Sequence, residues 1–330
     1  MKKQFILPRL FLLGSSFTAC QVSNQAIDEK WLPTELMDET MKCMSTYNLE
    51  RLQQGLPQRF YATADAAAVA DRVLAKRQHY YALYRSYVDQ FSTLTELRNW
   101  PDGTDENHLR AAAEALAYNR SITKIDLAFR SIGSKGAKAL ARALEKNSTI
   151  TNIYLTGNSI GSCGAAALAK VLEKNSTITK IILWHNNIGS EGAKALAQAL
   201  EKNSTITDIS LAYNNVGSEG AKALAQALER NSTIINMDLS SSNIDCKGVK
   251  ELATVLAKNS TIRYFSLHDN NVDFKGAIAL AVAIINREVQ LSTLNIYLDW
   301  SKTGITEEAA RAMALEKINR ERRPAQYNIL

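Results

Sequence analysis

Residues 175–202 read NSTITKIILWHNNIGSEGAKALAQALEK, and residues 203–230 read NSTITDISLAYNNVGSEGAKALAQALER. The opening phrase Asn-Ser-Thr-Ile recurs at a constant 28-residue spacing, and a variant of it, Asn-Arg-Ser-Ile, begins one unit earlier. The phrase begins at Asn147, Asn175, Asn203, Asn231 and Asn259, and the variant begins at Asn119. Self-similarity at a fixed period of this length is the signature of a stacked repeat protein. We therefore expect six similar units in one continuous array.

The first half of each unit has the period of a strand. In the unit quoted first, Ile181 and Leu183 alternate with Lys180, Ile182 and Trp184. Successive side chains of a strand point to opposite faces, so a period of two residues predicts one short β-strand per unit.

The second half of each unit has the period of a helix. Leu196, Ala197 and Leu200 continue the spacing from Ala193 that places apolar side chains on one helix face. Gly192 and Ala193 are small, so we expect the helix to lie close to its strand.

Two polar residues are expected to bound this helix. Ser190 is placed to cap its first turn through the side-chain oxygen. Asn203 follows its last turn, where asparagine tolerates the left-handed conformation that often ends a helix.

Stacking would place equivalent residues in continuous ladders, because a single unit cannot bury its apolar edge alone. The isoleucine ladder comprises Ile122, Ile150, Ile178, Ile206, Ile234 and Ile262, and the leucine ladder comprises Leu127, Leu155, Leu183, Leu211, Leu239 and Leu267. The turn after the strand carries an asparagine ladder of Asn158, Asn186, Asn214 and Asn270, interrupted at Arg130 and Ser242. We expect its buried amides to satisfy backbone groups of neighbouring turns.

This pattern resembles the ribonuclease-inhibitor class of leucine-rich repeat proteins, also found in nucleotide-binding immune receptors and the Ran GTPase-activating protein. The resemblance covers residues 91–318 and implies an α/β solenoid, a horseshoe with parallel strands on the concave face and helices on the convex face. Strands stack about 4.8 Å apart while helices need about 8–10 Å, so the array must curve. Residues 91–118 look like an opening unit, and a closing unit with a small insertion begins near Leu294.

A second resemblance lies in residues 28–90, which we expect to be a small helical region. The segments LPTEL, at 32–36, and NLERL, at 48–52, resemble the F-box. Its pattern is carried by Leu32, Pro33, Glu35, Leu36, Leu49 and Leu52. An F-box implies docking on the adaptor subunit of cullin-type ubiquitin ligases, with the repeats holding the substrate. Thr40, Cys43 and Gly55 depart from the family pattern, and the alternative is a generic capping helix. Further on, Tyr80, Tyr81, Tyr84 and Tyr87 are expected to pack this region onto the end of the solenoid.

Residues 1–27 allow two interpretations. Lys2 and Lys3 precede a short apolar run, and small residues precede Cys20, which resembles a bacterial lipoprotein signal. That resemblance implies lipidation at Cys20 and an exported, membrane-anchored protein that uses the repeats for adhesion. The alternative is a disordered extension on a protein that is cytoplasmic or delivered as an effector into a host cell. At the other end, residues 319–330 are expected to be a solvated basic tail.

Composition excludes several other classes. The net charge is +6, but the basic residues are scattered, so we expect no nucleic-acid partner. No apolar stretch is long enough for a transmembrane helix. The four cysteines are Cys20, Cys43, Cys163 and Cys246, and none forms a C-x-x-C pair, so we expect free thiols. We predict no metal, no cofactor and a monomeric state.

The sequence predicts no catalytic residues. It has no phosphate-binding loop, and its glycines recur at the turns of the repeats. Ser266, His268 and Asp269 are not expected to form a triad, because neighbours on one strand point to opposite faces. GTPase activation remains an alternative from the resemblance alone, and it assigns no residue of this chain.

The strand positions outside the ladders vary from unit to unit, whereas the ladder positions hardly vary. One surface is therefore free to differ, and we predict that it binds a partner protein on the concave face. Exposed aromatic side chains are frequent contributors to binding energy. The candidate partner-binding residues are Tyr154, Lys180, Trp184, His185, Asp208, Tyr213, Asp238, Tyr264 and His268.

Overall fold

A computed structural model describes residues 64–101, 105–289, 294–299 and 303–322. The chain divides into two compact units, Met1–Ala70 and Asp71–Leu330, and the repeats belong to the second. The strands of the described residues are β1 Glu96–Leu97, β2 Lys124–Asp126, β3 Asn152–Tyr154, β4 Lys180–Ile182, β5 Asp208–Ser210, β6 Asn236–Asp238, β7 Tyr264–Ser266 and β8 Asn295–Tyr297. Their helices are α1 Ala64–Ser92, α2 Glu106–Tyr118, α3 Gly133–Leu144, α4 Gly161–Leu172, α5 Gly189–Lys202, α6 Gly217–Arg230, α7 Cys246–Leu256, α8 Phe274–Val289 and α9 Glu307–Arg322.

The strands form one open parallel sheet in chain order, from β1 to β8. Leu97 of β1 pairs with Ile125 of β2, so β1 joins the sheet one repeat before Ile125. Phe265 pairs with Met237 of β6 on one side and with Ile296 of β8 on the other. The interval from Phe265 to Ile296 is the longer of the two, so the last strand follows after more residues than the regular repeat provides. The alternation of strands and helices confirms the α/β leucine-rich repeat solenoid.

Both apolar ladders are buried between the sheet and the helices, as predicted. Every member of the isoleucine and leucine ladders is at most 1% exposed. On α5, Ala193, Leu196, Ala197 and Leu200 complete the core at no more than 3% exposure. Burying an Ile or Leu side chain contributes about 1.5–3 kcal/mol, so each added unit stabilises its neighbours.

The asparagine ladder after the strands connects adjacent turns, as predicted. Asn186 is fully buried, and its Oδ1 accepts a hydrogen bond from the backbone N–H of Asn158 at 2.9 Å. Its Nδ2 donates to the carbonyl of Leu155 at 2.7 Å. At the interrupted rung, the Ser242 hydroxyl donates to the carbonyl of Leu211 at 3.0 Å and so replaces part of this role.

The asparagine that opens each unit does not have the predicted backbone conformation. Asn203 has φ −74 and ψ 133, which is extended backbone and not the left-handed conformation. Its Nδ2 donates to the carbonyl of Leu172, the last residue of α4, at 2.7 Å. Its Oδ1 accepts from the N–H groups of Thr205 and Ile206 at 2.9 and 2.8 Å. The side chain, not a left-handed backbone, therefore ties the end of α4 to the segment that leads into β5.

The predicted serine cap is also wrong. Helix α5 begins at Gly189, and the flanking residue Ile188 is in the right-handed helical region with no side-chain capping bond. The N–H of Gly189, where φ is +66, donates to the carbonyl of Asn214 in the next unit at 2.9 Å. Stacking thus satisfies the start of the helix, and Ser190 is not needed for it.

Gly192 permits close approaches both to Ile188 in its own unit and to the preceding helix. A Cβ at Gly192 would lie 3.1 Å from Ala165 Cβ and 3.2 Å from Ser162 Cα, both in the preceding helix α4. The small residues of each unit therefore let successive helices pack tightly against each other.

Two of the four α1 tyrosines predicted to pack here, Tyr80 and Tyr87, bond to the opening unit. The Tyr80 hydroxyl donates to Glu114 Oε2 at 2.5 Å, and Tyr87 Oη lies 2.9 Å from His108 Nδ1. Burial raises the pKa of Tyr80, so it stays protonated. These bonds fix the helix against α2 and cover the first turn of the array.

Candidate partner-binding face

The strand face is the side of the sheet that carries the first and third residues of each strand and the residues that follow them. Ile153, in the middle of β3, is fully buried, whereas Asn152 and Tyr154 on either side are half-buried. The same alternation occurs in β2, β4 and β6. The strands place Tyr154, Lys180, Asp208, Asp238 and Tyr264 on this face, and the segments just after the strands carry Trp184, His185, Tyr213 and His268.

Two of the predicted residues form an aromatic pair in the middle of the array. The rings of Trp184 and Tyr213 meet edge to face, with centroids 5.4 Å apart and an interplanar angle of 72°. Such pairs gain about 0.5–1.5 kcal/mol beyond burial of their area. The side chains nevertheless remain 39% and 47% exposed, so apolar surface is available to a partner.

The loop residue that follows each strand of the regular units has a left-handed backbone. The positions and φ angles are Phe129 (56), Gly157 (67), His185 (55), Tyr213 (57), Ser241 (48) and Asp269 (54). This conformation costs a residue with a Cβ about 1–2 kcal/mol, and glycine adopts it freely. Backbone bonds to the next unit hold the conformation, as when Tyr213 N–H donates to the carbonyl of Ser240 at 2.9 Å. His185 and Tyr213 thus carry large side chains at a position where Gly157 is the less strained choice.

The first half of the strand face is internally neutralised. Lys124 Nζ lies 2.8 Å from Glu96 Oε1 and 3.8 Å from Asp126 Oδ2, and 5.0 Å from the centroid of the Tyr154 ring. Hydrogen bonds from Lys124 and then Arg98 lower the pKa of the Glu96 carboxyl, and the bond to Glu96 raises the pKa of Lys124. Glu96 was not among the residues predicted from the sequence, although it lies one repeat before Lys124 and so takes the same strand position.

The second half of the strand face carries two carboxylates, of which Asp208 has a lysine at the limit of ion-pair distance and Asp238 is bonded, among the described residues, by neutral groups alone. Asn236 Nδ2 donates to Asp208 Oδ1 at 2.7 Å, while Lys180 Nζ stays 3.9 Å from the same oxygen. Ser210 Oγ donates to Asp238 Oδ2 at 3.0 Å, and Ser240 Oγ donates to Asp238 Oδ1 at 2.6 Å. These bonds fix both carboxylates on the surface of the sheet.

Two shallow grooves lie over this half of the face. One has a volume of about 290 Å³ and runs across β4 to β8, past Asp208, Asp238 and Tyr264. The other has a volume of about 540 Å³ and lies against the closing unit, between His268 and Glu307.

His268 and Asp269 are in contact, contrary to the expectation that they point to opposite faces. His268 Nε2 lies 3.2 Å from Asp269 Oδ2. Asp269 follows the strand in the left-handed conformation, so the alternation of a strand does not apply to it. The Ser266 hydroxyl bonds to Ser240 Oγ at 2.6 Å and not to His268, so the three residues are not arranged as a triad.

Other predictions fall partly or wholly outside the described residues. The F-box-like segment and Cys20 belong to residues 1–63, which the structure does not describe, so both stay predictions. In the described ranges, no helix has the length and apolarity needed to cross a membrane. The same part of the chain has no cluster of three or more His, Cys, Asp or Glu side chains suited to a metal ion. Cys163 and Cys246 are free, as expected.

Comparison with family models indicates a leucine-rich repeat domain in part of the chain. A family model described as the TMOD/LMOD leucine-rich domain matches residues 89–218, from α1 into α6. The solved structure of leiomodin-1 actin-binding site 2 is 19% identical, over 47% of this chain and 91% of that chain, with a TM-score of 0.39. The tropomodulin C-terminal domain of Caenorhabditis elegans is 18% identical, over 45% and 92%, with a TM-score of 0.37. Among curated protein sequences, none matches this chain.

Proposed function

We propose that this chain is a non-enzymatic protein-interaction module, and that its strand face binds a partner protein. The repeats supply a rigid parallel sheet, and the side chains on this face differ from unit to unit while the core does not. A surface of this kind suits recognition of a folded or extended protein, as in other solenoids.

The observation that carries the proposal is the exposed pair of Trp184 and Tyr213. Tyr213 keeps a large aromatic side chain on a left-handed backbone, where Gly157 occupies the equivalent position two units earlier. The ring packs against Trp184 and is not buried in the core. Side chains of these types contribute most to binding when they are already held in place.

The pair is flanked by the other candidate residues. His185 follows Trp184 directly, and Lys180 and Asp208 lie on the adjoining strands β4 and β5. A partner that covered the aromatic rings would therefore also meet charged side chains at the rim. Charges at such a position favour specificity and the rate of association more than affinity.

Capture of partners by the full chain tests the proposal. We compare the wild type with the double variant Trp184→Ala/Tyr213→Ala, and quantify captured proteins by mass spectrometry. The matched control is Tyr118→Ala, because Tyr118 is an aromatic side chain with 51% exposure at the end of helix α2. Actin belongs among the quantified proteins, since the leiomodin-1 structure is described as an actin-binding site.

The double variant should lose at least about tenfold in partner capture, because loss of an interface aromatic often costs about 2 kcal/mol or more. The Tyr118 control should capture as the wild type does. All three chains should share one unfolding temperature to within a few degrees, since the changed side chains are exposed. Equal capture by the double variant and the wild type would show that the strand face does not bind the partner.

A further inference from the structure

We propose that the groove over β4 to β8 binds an extended protein segment through a basic side chain, which lies between Asp208, Asp238 and the ring of Tyr264. This inference rests on the proposed function, because it assigns the chemistry of the partner at the same face. It specifies an arginine or lysine and places it over β5 to β7, beginning at the strand that precedes Tyr213.

The groove has the dimensions of a site for a short extended segment. It crosses five strands, from Lys180 on β4 to Tyr297 on β8. At about 4.8 Å between strands, this corresponds to roughly 19 Å. An extended chain of about six residues covers that length. A volume of about 290 Å³ is small for a groove of this length, so the groove is shallow and a bound segment would remain partly exposed.

Asp238 is oriented but not neutralised. Its oxygens accept from the hydroxyls of Ser210 and Ser240, and the N–H of Ser240 also donates to Oδ1 at 3.0 Å. Each carboxylate oxygen can accept further bonds. Among the residues that the structure describes, no lysine or arginine nitrogen lies within 4.0 Å of this carboxylate. A basic side chain would meet a carboxylate already fixed in position.

In the first half of the same face, the chain's own residues already place a cation beside a carboxylate and a tyrosine ring. Lys124 lies beside the Asp126 carboxylate and over the ring of Tyr154. Asp126 is the third residue of β2, and Asp238 is the third residue of β6, four units later. The first residue of β6 is Asn236, where β2 has Lys124. At β6 the chain thus keeps the carboxylate but not the cation.

Two tyrosine rings line the groove together with Asp238. Tyr264 is the first residue of β7, next to Asn236 in the register, and its side chain is 47% exposed. Tyr297 on β8 also lines the groove and is 55% exposed. A cation over a tyrosine ring gains about 0.5–2 kcal/mol, and arginine does so most often. Carboxylates and rings together therefore favour a protein cation.

The alternatives fit less well. A divalent metal ion needs several oxygen ligands converging on one point, and the described residues include no group of three acidic, histidine or cysteine side chains placed for it. Phosphate groups of a nucleic acid or lipid would be repelled by the two carboxylates.

Selection of peptides on the immobilised full chain tests the inference. The probe is a phage-displayed library of random peptides about ten residues long, enough to cross the groove. Enriched peptides are synthesised with each arginine or lysine either retained or replaced by neutral citrulline or norleucine. Their dissociation constants are measured by fluorescence polarisation against the wild type, Asp208→Asn/Asp238→Asn and the control Asp126→Asn.

We expect the enriched peptides to carry an arginine or lysine. Neutralising that residue, or both aspartates, should weaken binding about tenfold or more. The effect should shrink as the salt concentration rises. Asp126→Asn should change the dissociation constant by less than about twofold, because Lys124 already neutralises that site and keeps Glu96 as its partner.

The outcomes separate this inference from the proposed function. Enriched peptides without a basic residue, or with equal affinity for the two-aspartate variant, would overturn the inference. If those peptides still lost affinity on Trp184→Ala/Tyr213→Ala, binding at the strand face would stand. If neither the two-aspartate variant nor Trp184→Ala/Tyr213→Ala changed the dissociation constants, both the inference and the proposed function would be contradicted. Failure to enrich any peptide would also overturn the inference.

Discussion

A buried asparagine holds each turn of the array to its neighbours. Asn186 accepts from the N–H of Asn158 in the preceding unit, and its own N–H donates to Oδ1 of Asn214 in the next. Only a side-chain amide supplies an acceptor and two donors at that point. The recurrence of asparagine at this position therefore reflects the backbone groups that a stacked turn leaves without partners.

Ser242 leaves one of these bonds unmade. A serine hydroxyl donates to the carbonyl of Leu211, but within the described residues nothing accepts from the N–H of Asn214. Ser242→Asn should restore this acceptor and stabilise the array by about 1 kcal/mol, which raises the unfolding temperature by about 2–4 °C. Thermal unfolding followed by circular dichroism measures the change.

The converse variant is the control. Asn186→Ser removes an existing acceptor from a fully buried rung and should lower the unfolding temperature by at least as much. An unchanged or lower unfolding temperature for Ser242→Asn would contradict the role assigned to the ladder.

The sequence predicted the ladder residues but not all of their conformations. The strict 28-residue spacing identifies the positions that stack, and the burial of Ile181 and Leu183 follows from it. The conformation of Asn203 was predicted wrongly, because both a left-handed backbone and a side-chain bond can end a helix at an asparagine. Only the position of the neighbouring unit decides between them.

Helices of successive units approach closely where each carries a glycine. At Gly192, a Cβ would lie 2.5 Å from Ile188 Cγ2 and 3.1 Å from Ala165 Cβ. The period within one unit identifies the buried face of a helix, but it does not say which neighbour touches that face. For this reason the sequence predicted the small residues but not their contact with the preceding helix.

Gly192→Ala should therefore destabilise the array by about 1–3 kcal/mol, the usual cost of an overpacked core. The matched control is Gly189→Asn. No atom lies within 4 Å of a Cβ at Gly189, and asparagine tolerates its φ of +66 better than other residues do. The free energies of unfolding come from denaturant titration. Equal losses for the two variants would contradict the tight packing of the helices.

Strand period and repeat register predict only part of the candidate site. The strand period places Trp184 and Tyr213 outside the core, and the 28-residue register puts them on adjacent units. Their edge-to-face contact, and the bonds of Asp238 to Ser210 and Ser240, depend on side-chain rotamers. Rotamers are set by packing across units and leave no pattern in the sequence.

Over the whole array, the regular units end where the opening phrase is lost. Arg287 stands one repeat period after Asn259 and is fully buried. Its guanidinium donates to the carbonyls of Leu256 and Ile262 at 3.5 and 3.0 Å. It thus takes over the bond to the preceding helix that Asn259 makes to Leu228. The longer arginine side chain therefore connects the last regular units where the asparagine is absent. The sequence alone indicated only a small insertion near this point.

In the proposed function, stacked units hold a binding face centred on Trp184 and Tyr213. The regular repeat allows a direct test of it, because whole units can be deleted. Residues 147–174 and 175–202 are each one complete unit, and deleting either joins a lysine to an Asn-Ser-Thr-Ile phrase as in the natural chain. Both deletions should leave a folded array one strand shorter. Only the second removes Trp184, and with it the contact between Trp184 and Tyr213.

Partner capture by these two shortened chains is the decisive measurement, with cooperative thermal unfolding as the check that each is folded. The chain without residues 147–174 should keep capturing the partner, whereas the chain without residues 175–202 should lose about tenfold or more. Undiminished capture by a folded chain that lacks residues 175–202 would contradict the assignment of binding to this face.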